Sequence, residues 1–378
     1  TRNTLVGGLT GDALTSGYYN TALGYQALSA SVSGRNAVAI GYQALMNENS
    51  TNTETYNVAV GYTAGAQIST GINNTIVGGL AGDALTTGGR NTVLGYAALS
   101  SEDEHGRNVA IGYQALTDLN AGADAYNTAV GYYCGALVST GTQNTLIGGL
   151  AGDALTTGAR NVALGYASLS AEDTGSRNVA IGYFALNSLN YDGEGYNTAI
   201  GYNAGQDITT GTTNTLIGGL TGDALTTGIG NVAIGYNALS TEDTGGRNTA
   251  IGWGTLTNLD AGADAYNIAI GYNAANDMTT ALQSVVIGGF AGDAITTGSY
   301  NIAIGYNALT AETGANRNTA IGYFALSAQN KESGDANNVA IGHSAGQNVS
   351  TGTKNVIIGN VAGENLTTAV ENTVVGYE

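Results

Sequence analysis

The chain of 378 residues has no proline, one cysteine, one tryptophan and three phenylalanines, and only 10 % of it is charged. Each shortage excludes something. A single cysteine, Cys134, cannot close an intrachain disulfide, so no staple holds the fold and the redox compartment is left open. Ten basic residues against 28 acidic ones give a net charge of −18. That is the wrong sign for nucleic acid or an anionic membrane surface, both of which require clustered cations. No apolar run comes near the ~18 residues that would cross a bilayer, so membrane insertion is not expected. Low charge combined with 43 % apolar residues also separates the chain from disordered tails. Thr1-Arg2-Asn3 is not a secretory leader, and the pattern described next runs to both ends, as expected of a segment from a longer polypeptide.

Glycine, by contrast, is abundant at 60 residues, without the G-X-Y period of collagen. Its spacing reveals a repeat, N-x-a-I-G-Y, with 22 starts from Asn3 to Asn372, most of them 17 residues apart. The fourth position is Val, Leu or Ile and the fifth is Gly in all 22 coils, as at Ile111 and Gly112. A longer period lies on top. The variant N-T-L-I-G-G-L-A-G-D-A-L-T-T-G starts at Asn74, Asn144 and Asn214, with relatives at Asn3, Ser284 and Asn355. The chain is therefore one continuous array, 1–378, of super-repeats 3–73, 74–143, 144–213, 214–283 and 284–354 with a partial sixth, 355–378. Each full super-repeat holds four coils, one of which carries a short insertion.

A 17-residue unit cannot bury its own apolar side, but stacked units share a core and satisfy one another's backbone groups. The expected fold is all-β, a parallel β-solenoid (β-roll) of about 22 coils of about 17 residues, ~100 Å long at the usual strand spacing. Missing proline fits, because each strand inside a ladder needs its N–H. Each coil reads as a short strand, a bend at the invariant glycine, a second short strand and a turn. Alternation places positions two and four on one face, read as the core, and the alanines Ala39, Ala110, Ala180 and Ala250 on the other, small enough for a neighbouring chain to approach. Asn74, Asn91, Asn108 and Asn127 would stack at one corner as a hydrogen-bonded amide ladder. All eight arginines precede a coil start or its adjoining Asn. Three of them, Arg107, Arg177 and Arg247, follow the acidic pairs Glu102/Asp103, Glu172/Asp173 and Glu242/Asp243, which read as solvated surface groups.

The coil N-x-a-I-G resembles the head repeats of YadA-like trimeric autotransporter adhesins. The fuller form N-T-A-[IL]-G-Y-x-A-L, as in Asn20 to Leu28, is similar to repeat arrays of bacteriophage tail fibres. The resemblance covers essentially the whole chain. It implies a left-handed roll assembled as a homotrimer, a rigid shaft on a virion tail fibre that attaches to a host surface. The alternative it implies is an adhesin head or other filament on a bacterial surface or in the extracellular space.

Candidate chemistry is sparse. The fragment G-G-L-A-G-D-A-L is similar to a calcium-binding nonapeptide, with Asp83, Asp153, Asp223 and Asp293 as ligands, yet it occurs once per 70 residues where a calcium roll needs consecutive turns. An Asx-type turn explains these aspartates equally. Tyrosine follows the invariant glycine in 14 coils, replaced in others by Trp253, His343, Gly or Asn. Tyr96, Tyr113, Tyr132 and Trp253 thus form a ring ladder that either packs or offers stacking platforms to a host glycan. His105 and His343 lie far apart and Cys134 has no base near it in the repeat order, so no catalytic constellation, and no cofactor, is expected.

Overall fold

The structure, a computed structural model, describes residues 2–377. Among the described residues it is all-β with no helix, a parallel β-solenoid of about 22 turns of about 17 residues. Contacts group the chain into two compact units that divide between Gly195 and Tyr196. In the first unit, three-residue strands run from Thr4–Val6 to Val179–Ile181, each parallel to the next and in register residue for residue, as in Val109↔Thr128, Ala110↔Ala129 and Ile111↔Val130. In the second, strands from Thr198–Ile200 to Thr373–Val375 pair in the same way. A further two-residue ladder joins Ala315–Asn316 to Gly334–Asp335. Apart from the two coils that carry this ladder, each coil of the described residues forms one regular strand. The remainder is a chain of tight turns, so the expected second strand is not a regular part of the coil.

The two strand faces are the reverse of the expected assignment. The third position is the buried one: Ala39, Ala110, Ala180 and Ala250 are fully enclosed, and no alanine face is available for a neighbouring chain. Positions two and four, including Ile111, point outward and are half-exposed or exposed. The reason is volume. The coil is thin, and its interior is already filled by the Leu or Ile of the turn segment, such as Leu28, Leu45, Leu116 and Ile68.

That same volume limit accounts for the longer period. In the coils starting at Asn74, Asn144 and Asn214, the buried strand residue grows to Ile76, Leu146 and Leu216, and the turn position that holds Leu28, Leu45, Leu99 or Leu116 in other coils is glycine both there, at Gly82, Gly152 and Gly222, and in the coil before, at Gly65, Gly135 and Gly205. A Cβ on Gly152 would stand 2.9 Å from Leu146 Cδ2 and 2.8 Å from Leu155 Cδ1. The G-L-A-G segment is thus a core exchange in which a large strand residue takes the space of a turn leucine.

Asparagine closes one coil and opens the next at every coil start except Ala37 and Ser284. Asn74 Nδ2 donates to Gly88 O at 3.0 Å within its own coil, while Asn91 N donates to Asn74 Oδ1 at 3.0 Å from the following one. Asn108 and Asn127 continue the column through Asn108 N to Asn91 Oδ1 and Asn127 N to Asn108 Oδ1, at 3.0 and 3.1 Å. These amides are buried, so each satisfies backbone groups that water does not reach.

Candidate functional site

Past the glycine bend the aromatic side chains form face-to-face stacks three rings deep. Tyr96 and Tyr113 lie 5.5 Å apart at 15°, and Tyr113 and Tyr132 lie 5.6 Å apart at 20°. Tyr25, Tyr42 and Tyr62 repeat this arrangement in the first unit. In the second unit Tyr236, Trp253 and Tyr272 stack, as do Tyr306, Tyr323 and His343. Every fourth coil interrupts the ladder with Gly79, Gly149 or Gly289. Neighbouring rings cover both faces of Tyr113 and Trp253, which leaves these two only their edges. The next side chain along the turn, unnoticed in the sequence reading, also bears on the ladder: Tyr133, Phe184 and Phe324 meet the rings edge-on.

Cation and anion pair along another edge. Arg107 bridges Asp124 at 2.5 Å and reaches the ring and hydroxyl of Tyr126, and Arg247 repeats this with Asp264 and Tyr266. Arg177 Nε meets Glu194 at 3.0 Å, and Arg317 meets Asp335. Each arginine therefore pairs forward, to an acid in the insertion of the next coil, and not with the acidic pair upstream.

Those upstream glutamates are not surface groups. Glu102, Glu172, Glu242 and Glu312 are fully buried, and each joins two coils. Glu172 accepts from Gly175 N at 2.7 Å in its own turn and from Tyr191 N at 3.3 Å in the following insertion. Glu242 does the same with Gly245 N and Ala261 N at 2.7 and 3.2 Å. A buried carboxylate thus anchors each long coil. The sequence signal was present, because a Glu recurs at 102, 172, 242 and 312, always in the coil before an insertion.

Burial lifts these four carboxyls above the usual 4.5, and outweighs the backbone hydrogen bonds that pull the other way. The groups facing them are Asp103 and His105 for Glu102, Asp173 for Glu172, and Asp243 and Asp260 for Glu242. A raised folded-state value means that the native chain binds these protons more readily than the unfolded chain. Their contribution to stability is therefore fully present below the ordinary glutamate value and is lost as pH rises through the raised ones. Asp83, Asp153, Asp223 and Asp293 shift in the same direction, also through burial. Glu371, held low by Lys354, opposes them as one exposed pair. The melting temperature is expected to be higher at pH 5 than at pH 7.5 in low salt. A lower value at pH 5 contradicts this account.

The four aspartates read as calcium candidates are half-buried in their turns. Oδ1 of Asp83, Asp153 and Asp223 has no hydrogen-bond partner, and Asp293 Oδ1 accepts from the Thr310 hydroxyl. None of the four joins a group of three ligand atoms within 4.8 Å among the described residues; the groups that do form are Glu102-Asp103-His105 and Glu242-Asp243-Asp260. Cys134 is enclosed, with its sulfur 3.1 Å from Leu146 O, and burial pushes its thiol up to about 12. His343 ends a ring stack and His105 sits 3.8 Å from Glu102. The structure brings neither histidine beside Cys134. No protein-family model matches the sequence, and neither does any curated protein.

Proposed function

We propose that this chain is the structural and adhesive shaft of a bacteriophage tail fibre, a left-handed homotrimer that attaches a virion to a host surface without catalysis. One observation carries the reading: the outward strand face is uncharged and built of threonine and aliphatic side chains along both units. Asp, Glu, Lys and Arg are absent from positions two and four of all 22 coils, although the chain bears a net charge of −18. Positions two and four there present Thr, Val, Leu and Ile in register, with Leu94, Leu164, Ile268 and Ile302 well exposed. Depletion of charge around apolar residues is the composition of an interface core. On an acidic chain this is also a face on which copies approach without charge repulsion. A homotrimer that closes on itself buries the face, whereas a monomer leaves it to aggregate. Handedness and the phage setting rest on the resemblance of the N-T-A-I-G-Y-x-A-L coil.

Electron microscopy of the native particle with antibody against this chain tests the reading. Label on fibres projecting from a virion is expected. Label on a bacterial envelope supports the adhesin head instead, and label on neither overturns both.

A further inference from the structure

The ring ladder is broken at regular intervals, and the breaks are not equivalent. In the middle of a stack a tyrosine is covered on both faces, and Tyr42 and Tyr113 are each 42 % exposed. The last ring before a break is more open, with Tyr62 at 58 % and Tyr132 at 57 %. The coil that follows carries Gly79 or Gly149 at the ring position. A Cβ built on either glycine would touch the ring beyond it, Tyr96 at 3.6 Å or Tyr166 at 3.5 Å, but would find no ring atom of Tyr62 or Tyr132 within 4 Å. The break therefore uncovers one face of the preceding tyrosine. In the second unit the break after Tyr272 differs, because Phe290 stands where the first unit has Leu80 and Leu150. Its ring meets Tyr272 edge-on at 5.2 Å and Tyr306 at 6.0 Å. Tyr272 is correspondingly less open, at 50 %.

We infer that the open ring faces of Tyr62 and Tyr132 are platforms for neutral hexopyranose residues, each stacking its apolar C–H face in the slot left by Gly79 or Gly149. The slot is one coil deep, the thickness left by a single missing ring. No charged side chain occupies the first six positions of the flanking coils, and the chain as a whole repels anions. That selects neutral sugars over sialylated or phosphorylated ones. The two platforms are four coils apart on one edge of the first unit, ~19 Å at the usual strand spacing, so an oligosaccharide that reaches both gains avidity. Trp253 and Tyr113, with both faces covered, are not platforms. The inference rests on the host-attachment reading for its choice of ligand and sharpens it to the rings that stand before a glycine break.

The test uses the purified intact chain, and saturation-transfer NMR with cellohexaose, maltohexaose, mannohexaose and sialyllactose. At least one neutral hexasaccharide is expected to bind, and sialyllactose is not. Gly79→Tyr, Gly149→Tyr and Gly219→Tyr together, the last because Tyr202 ahead of Gly219 is exposed to a similar 56 %, complete the stacks without entering the core, and are expected to weaken binding at least fivefold. Phe290→Leu is expected to add a platform at Tyr272 and raise the number of sites. The proposal is overturned if no neutral probe binds the unaltered chain, if the filled-slot variant binds as before, or if sialyllactose binds equally well. Adsorption of the particle to cells is scored separately. Loss of adsorption with intact slots bears on the fibre reading alone, and persistence of adsorption after the slots are filled leaves the NMR result to decide the platforms.

Discussion

Gly112→Ala is expected to destabilise the first unit by about 3 kcal/mol or more, by adding one methyl group. The backbone at Gly112 has φ +137°, a region that residues with a Cβ rarely enter, and the added carbon would sit 2.1 Å from Gly131 O and 2.6 Å from Gly131 C in the next coil. Those are backbone atoms held by the strand ladder, so no side chain can swing aside. Gly149→Ala is the matched control: its Cβ would lie 3.5 Å from the Tyr166 ring, an ordinary contact, and its φ is not in the positive region. Urea denaturation followed by far-UV circular dichroism should show a large loss for the first variant and a change within about 0.5 kcal/mol for the second. Equal midpoints would mean that the close approach of successive glycines is not what fixes this residue.

Ile111→Lys combined with Ile181→Lys is expected to release folded monomers. Both side chains point outward from strands whose buried partners are Ala110 and Ala180, so the substitutions leave the core intact and place two charges in the proposed interface of each copy. Analytical ultracentrifugation should report about three times the 37.8 kDa chain mass before substitution and one chain mass after it, with an unchanged circular dichroism spectrum. A 37.8 kDa species before substitution removes the homotrimer. The opposite face responds differently. Ala110 is enclosed between Val93 and Ala129 of the adjacent coils, so Ala110→Leu overpacks the core and is expected to cost about 1–3 kcal/mol without changing the oligomeric state.

The reversed faces show where the sequence stops being informative. The period, the invariant glycine and the asparagine column are legible because each is a demand of one position repeated in every coil. The inward face is not, since a three-residue strand such as Val109–Ile111 is apolar throughout and alternation cannot orient it. Volume orients it: a small strand residue such as Ala110 leaves room for the turn residue Leu116, whereas a large one such as Ile76 is met by glycine at Gly82 in its own coil and at Gly65 in the coil before. The buried glutamates escaped for a related reason. Glu172 stands beside Asp173 in a polar turn and reads as solvent-facing, until Tyr191, 19 residues later, brings a backbone N–H to its second oxygen. The ring ladder could be read as a ladder. Which rings keep an open face depends on residues such as Phe290 that stand outside the repeating hexapeptide.

The phasing of these features over four coils governs how such a gene changes length. The coil at Asn57 hands its carbonyl-type oxygen to Asn74 at 3.0 Å, and the coil at Asn127 hands the same group to Asn144 at 2.9 Å. Unequal recombination that deletes 74–143 therefore joins two ends that already match, with each glutamate still ahead of its long coil and each large strand residue still above its glycine. Deleting a single coil breaks both pairings. Natural variants of this array are expected to differ by whole blocks of about 70 residues, a ruler graduated in steps of ~19 Å.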